Sequence, residues 1–342
     1  MNNKKSNNNQ LLMTLLKGRT FIVLVLLVIF FTIVKGTTFL SASTLTMVAK
    51  HVALYGILAL GMTFVIITGG IDLSVGSVVG LVGMLAGGMI QEGITLKFAG
   101  VTLYFSVPVI IITMLVVGCI IGAVNGLIVT KLGVAPFIAT LGTMYICRGF
   151  ANLRSNGATF SDIKGYDGLG NTGFKILGSN IAGIPTGVYI FAVLAIISVI
   201  ILKKLPFGWY VLAVGGNEKS ARLSGIKADK IKIIVYMISG FCAAWVGMIN
   251  TAQLSAAHPA SGDGWEMNAI AATVLGGTGT IIGTVVGAFV IGVINDGMTM
   301  CGVSEFWQKV IRGLVIILAV VIDQTQRNLQ AKMALQARNE NK

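Results

Sequence analysis

Asp72 sits between two strongly apolar runs, in Gly69-Gly-Ile-Asp-Leu-Ser-Val-Gly-Ser77. A charge at bilayer depth is costly and faces a cavity or a partner. Two readings stay open. Asp72 lines a polar pathway, or it caps a helix beginning near Val75, with Gly69 and Gly70 ending the helix before it. A break whose helix ends line a cavity satisfies both. Asn125 lies within another apolar run, where an amide hydrogen-bonds across helices. With Ser74 and Asn268, these residues are the candidates for a pathway or gate. Gly276-Gly-Thr-Gly-Thr280 has the look of a phosphate loop. It lacks the Lys-Ser/Thr of that motif, and Ile282 stands where a dinucleotide fingerprint needs its third glycine. It reads as a turn between two helix segments.

The sequence offers no catalytic set and no metal site. There is no nucleophile motif and no pair of carboxylates at a useful spacing. Cys119, Cys147, Cys242 and Cys301 are far apart and lie in or beside apolar segments, as small buried hydrophobes do. His51 and His258 have no Cys or His neighbour in sequence. Arg148 falls at an expected membrane boundary, where it can snorkel, and Asn295-Asp296 reads as a turn ending a span.

The elements that must carry these residues are membrane helices. Of 342 residues, 55% are hydrophobic and 11% charged, and mean hydropathy is +0.88; soluble domains carry about a quarter charged residues. Phe21–Val34, Val107–Val129 and Val188–Leu202 are apolar at or near bilayer length. The 44 glycines suit close helix packing in lipid. The fold expected is an all-α polytopic bundle of about ten helices, with broken or half-length segments near 69–76 and 269–283. Such paired breaks in opposite halves can mark a binding site at a repeat interface. The net charge of +13 clusters at the ends of apolar runs, which follows the positive-inside rule and points away from nucleic acid. Residues 1–20 then form a disordered cytoplasmic tail, 21–323 one transmembrane domain and 324–342 a cytoplasmic tail. An inside N-terminus puts 151–186 outside, places 203–232 inside, and leaves 255–268 as an outside segment.

Residues 203–232 carry seven Lys or Arg against Glu218 and Asp229. Asn217 or Ser220 can cap a short helix through Ala221, Arg222 and Leu223 that ends at Gly225. Two roles are open for it: an amphipathic turn on anionic headgroups, or a docking segment. With no nucleotide motif, an energy source would have to lie in another chain.

The blocks MTFVIITGGIDLSVGSVVGL, VNGLIVTKLGVAPFIATLGTM, GNEKSARLSGIKADKIKIIVYMISG, NAIAATVLGG and IGTVVGAFVIGVIN closely resemble the ribose-type permeases of bacterial ATP-binding cassette importers, in order, from about residue 45 to 323. The resemblance implies a dimerising subunit, homomeric or paired with a related permease, in the inner membrane. It implies a periplasmic sugar-binding protein and a separate ATPase that uses ATP and magnesium; this chain would hold no cofactor of its own. The substrate implied is a ribose-like pentose, a hexose or a small polyol. The segment matching Gly215–Ile226 resembles the one that docks on the ATPase, which marks Gly215, Gly216, Asn217, Glu218, Ser220, Ala221, Arg222, Gly225 and Ile226 as coupling residues. Relative to the family, the chain lacks a stretch of the form Ser-Leu-Ala-Gly-Gly-Lys inside the 276–280 turn. The alternative is an ion-coupled secondary transporter of a small polar solute. That would need intramembrane ion sites, for which the chain offers mainly Asp72.

Overall fold

A computed structural model describes the backbone of residues 2–96, 100–277 and 279–340. Its helices are α1 (Asn2–Lys35), α2 (Ala42–Ile67), α3 (Val75–Gln91), α4 (Val107–Lys131), α5 (Pro136–Leu153), α6 (Thr186–Lys204), α7 (Pro206–Gly216), α8 (Glu218–Leu223), α9 (Ala228–Leu254), α10 (Trp265–Leu275), α11 (Ile281–Met300) and α12 (Glu305–Glu340). Among the described residues, α2, α4, α6, α9, α11 and the apolar part of α1 are each long and apolar enough to span a membrane. The bundle is the expected all-α polytopic one. Strand is confined to two-residue and three-residue pairs in the connections.

Two classes of helix emerge from the same apolar composition. Helices α2, α3, α9 and α11 are buried on nearly every face and form the core, with Leu60, Phe64, Met84 and Ile249 fully enclosed. Helices α1, α4, α5, α6 and α12 ring them and turn large side chains outward, among them Phe21, Ile112, Tyr145, Ile196 and Ile317. An apolar exterior of this kind is what lipid requires. Where α4 meets α9, a Cβ on Gly118, Gly122 or Gly126 would strike the backbone of Gly240, Tyr236 or Ile233. The two helices approach so closely only because these positions lack side chains.

Both expected breaks are present. Residues 68–74 are non-helical, and α10 has 11 residues, a length of about 16 Å against a hydrocarbon core of about 30 Å. The chain before α10 makes up the difference in a way the sequence reading did not anticipate. Residues 255–264 do not form a free-standing loop. They run along α3, where a Cβ on Gly80 would meet the carbonyls of Pro259 and Ser261, and one on Gly76 would meet Gly262 and Glu266. Irregular backbone is tolerated at such depth when protein covers it.

Three other expectations change. α1 reaches back to Asn2 and α12 continues to Glu340, so residues 2–20, read as a disordered tail, are helical, and the C-terminal tail is helical wherever described. Adding a residue to an existing helix costs far less than nucleating one. Met1 and residues 341–342 of those tails lie outside the described residues. The basic stretch 203–232 is mostly helix, because α7 and α8 fill it and α9 begins at Ala228. Asn295 and Asp296 lie inside α11, both buried, with Asp296 Oδ1 2.7 Å from His51 Nδ1; they end no span. Residues 151–186 form the surface element expected of them. This element is tied down by Asn171, whose Nδ2 donates to the Ile90 carbonyl at 2.9 Å.

Candidate coupling site and buried polar node

The short helix α8 is built by local rules at both ends. Asn217 is its N-cap, its side chain accepting from the Ser220 amide at 3.0 Å. That selects Asn217 over Ser220 as the cap. At the other end the Gly225 amide donates to Arg222 and the Ile226 amide to Ala221, each at 3.0 Å. This is a Schellman closure, and it requires the left-handed φ of +85° that Gly225 adopts.

Charge pairs then fix α8 to its surroundings. Arg222 Nη2 donates to Glu218 Oε1 at 2.8 Å and also to Asp229 Oδ1. Lys232 Nζ donates to Glu218 Oε2, and Lys131 Nζ to Asp229 Oδ2 at 3.3 Å. The hydrogen bond from Lys232, reinforced by Arg222, holds the Glu218 carboxyl below the usual glutamate range. Arg222, one of the expected coupling residues, is engaged within the chain and positions α8. Ala221 is buried beneath the helix. Gly215 packs so tightly on the end of α2 that a Cβ would strike the Ile67 carbonyl. The large apolar side chain left most open is Leu223, 90% exposed at the end of α8. Sequence reasoning did not single it out, although an apolar residue in an otherwise polar capped helix was a usable signal.

Of the four pathway candidates, three meet. Asp72 is 1% exposed and accepts from the Ser74 amide at 3.0 Å, the Ser74 hydroxyl at 2.6 Å and the Ser239 hydroxyl of α9 at 2.7 Å. Asn125 Nδ2 of α4 donates to Ser74 Oγ at 2.9 Å, and Thr143 Oγ1 of α5 donates to Asn125 Oδ1 at 2.6 Å. Every donor points down a chain that ends on the carboxylate. Gly69 and Gly70 close α2 as read, their amides donating to the Ile66 and Val65 carbonyls at 3.0 Å. Asp72 keeps a capping contact as well, because its Oδ1 accepts from the Ser74 amide two residues on, whereas the boundary residue Ser74 is itself helical and makes no side-chain cap bond. Asp72 is the acceptor at which four helices are joined. Asn268 is not part of this node; it is buried on α10 with its Nδ2 unpartnered among the described residues. Arg148 does not snorkel: its guanidinium donates to the Pro259 and Ser261 carbonyls and so holds the irregular segment against α3. Thr143, Ser239 and this role of Arg148 were missed. In-span hydroxyls with no cap to make were the available hint.

The shortened glycine-rich turn joins α10 to α11 at close range, a Cβ on Gly283 striking the Gly276 carbonyl. Thr278 lies outside the described residues. Among the described residues no cluster of three or more His, Cys, Asp or Glu could hold a metal.

A family model described as "Branched-chain amino acid transport system / permease component" matches residues 44–320. The chain belongs to that permease family. The permease is 40% identical over 313 residues to the ribose import permease protein RbsC of Bacillus subtilis, covering 89% of this chain and 91% of the relative. It is 37% identical over 302 residues to RbsC of Escherichia coli K12, covering 84% and 88%. It is 32% identical over 367 residues to the xylose transport system permease protein XylH of Haemophilus influenzae, covering 90% and 95%. No solved structure matches it. The resemblance to ribose-type permeases read from the sequence blocks therefore holds across the chain, and a multi-pass transport subunit is what the permease is.

Proposed function

We propose that the permease is the membrane subunit of an ATP-binding cassette importer for a monosaccharide or a related small polyol, and that α8 is its docking element for a separate ATPase. Support for the substrate class comes from relatives named for ribose and xylose. The observation that carries the docking role is Leu223, an apolar side chain 90% exposed on a helix capped at both ends and held by Glu218, Arg222, Asp229 and Lys232. A rigid support with one apolar contact is suited to transmitting force to and from a partner's groove.

In this reading both termini and α8 are cytoplasmic, in the inner membrane, and a periplasmic binding protein delivers the sugar on the opposite side. A second permease copy, identical or related, completes the pathway. ATP and magnesium act on the ATPase, and this chain holds no cofactor. ATP binding draws two ATPases together, their movement displaces α8, and the helices connected to it expose the pathway to alternate sides. Docking that differs in strength between the two states is what makes the movement productive.

Leu223→Asp should abolish uptake and co-purification of the ATPase while leaving the permease in the membrane. Arg222→Glu, which sets a third carboxylate beside Glu218 and Asp229, should do the same. Normal assembly and uptake in both variants would refute docking through α8. Uptake that survives ATP depletion on a proton gradient would refute the importer as a whole.

A further inference from the structure

Between α7 and α9, beside the docking helix, lies a groove with a cavity of about 470 Å³, within the roughly 300–1,000 Å³ of small-ligand sites. Phe207 and Tyr210 of α7 form one wall, Ile231 and Ile234 of α9 the other, and Lys227 and Lys230 the rim. Its polarity changes with position along α9. The lysines belong to the first turn and its cap, and the isoleucines lie further along a helix that spans the membrane. Both rim lysines are exposed and, among the described residues, neither has an ion-pair partner, whereas Lys131, Arg222 and Lys232 nearby are all paired. The outer surface of α7 exposes Leu205, Trp209 and Leu212, an aromatic and aliphatic face of the kind that settles at the headgroup level.

We infer that this groove binds an anionic phospholipid, with the phosphate at Lys227 and Lys230 and an acyl chain along Ile231 and Ile234. The two unpaired cations complement the headgroup, and the inner wall is apolar where α9 begins its membrane-spanning run. Ser224, Gly225 and Ile226 of the docking segment also border the groove, which makes the ATPase the competing occupant, but a polar backbone laid along the apolar wall of α9 would leave groups unsatisfied where an acyl chain would not. A lipid bound here would brace α7, and through α7 the base of α8.

The inference rests on the cytoplasmic placement of this surface proposed above, and the two can be tested separately. The permease in nonionic detergent is titrated with phosphatidylglycerol or phosphatidylcholine and lipid adducts are counted by native mass spectrometry. One phosphatidylglycerol per chain should be retained in preference to phosphatidylcholine, and inorganic phosphate should not compete. Lys227→Gln/Lys230→Gln should lower that preference about thirtyfold, at about one kcal/mol per lysine. Ile234→Trp, which fills the groove, should reduce retention of both lipids. Equal retention of the two lipids, or a double variant like the wild type, would overturn the site. So would displacement of the lipid by added ATPase, which would assign the groove to the protein partner. Placement is read independently by Lys219→Cys: labelling by a membrane-impermeant maleimide only in inside-out vesicles supports it. Labelling on intact cells would overturn the orientation without touching the result in detergent.

Discussion

Asp72 is held by hydroxyls and an amide, and among the described residues no cation lies within ion-pair distance of it. Its three donors come from Ser74 and from Ser239, which is 167 residues away in sequence. Truncating it should therefore be costly, since Ser74 and Ser239 would keep buried hydroxyls with no acceptor. Asp72→Ala should destabilise the detergent-solubilised permease by about 1–3 kcal/mol, seen as a lower thermal midpoint. Asp72→Asn should lose much less, because an amide oxygen still accepts from Ser74 and the Ser239 hydroxyl can rotate to accept from the new NH₂. An alanine variant as stable as wild type, or an asparagine variant as damaged as alanine, would show that the node does not hold the four helices. Asp72, Ser74 and Asn125 were legible as residues of interest because each is polar in an apolar setting. Thr143 and Ser239 were not, because a hydroxyl in a lipid-embedded helix can equally satisfy itself on its own backbone. Only the three-dimensional arrangement shows which hydroxyls reach across.

Helix α8 was the most legible element, because its boundaries depend on residues within a few positions of one another. Asn217 and Gly225 specify where it starts and stops, and the structure follows them. Gly225→Ala should strain the left-handed backbone by about 1–2 kcal/mol. Gly225→Pro, which cannot adopt that φ and removes the amide bonded to Arg222, should eliminate uptake with membrane insertion intact. Comparing uptake with the amount of protein in the membrane tests both. The charge network adds a pH expectation. Because Glu218 is held below its ordinary range, its stabilisation is present above the unfolded value of about 4.3. It is lost as pH falls through the lowered, folded value. The difference in thermal midpoint between wild type and Glu218→Gln should stay constant at neutral pH and shrink only under strongly acid conditions. A difference that vanished between about pH 6 and 8 would mean another group controls the network. The element read least well was 255–264. Its Gly, Pro and polar content is that of an exposed loop, and nothing local reveals that Arg148 draws it against α3.

At the scale of the whole molecule, α9 connects the two sites. Asp229 and Lys232, in its first turns, grip α8 through Arg222 and Glu218. Ser239, about 15 Å further along a continuous helix, holds Asp72 at the break between α2 and α3. The close seam of Gly118, Gly122 and Gly126 keeps α4 on the same helix, and α4 brings Asn125 to the node. A displacement of α8 thus has a direct mechanical path to the irregular segment 68–74, where backbone can change with least cost. If α9 carries that displacement as a rigid body, its two grips act on one process. In proteoliposomes of the assembled importer, Ser239→Ala should leave ATP hydrolysis near wild type while sugar moved per ATP falls about tenfold, a coupling loss of about 1.4 kcal/mol. Arg222→Ala should lower the same ratio from the other end. Combined, the two should cost clearly less than the product of their separate effects, because a helix already released at one end has less to transmit at the other. Strictly multiplicative losses would mean that α8 and the Asp72 node act independently. A Ser239→Ala protein that merely unfolded would lose hydrolysis and uptake together, so the ratio separates a transmitting contact from a structural one.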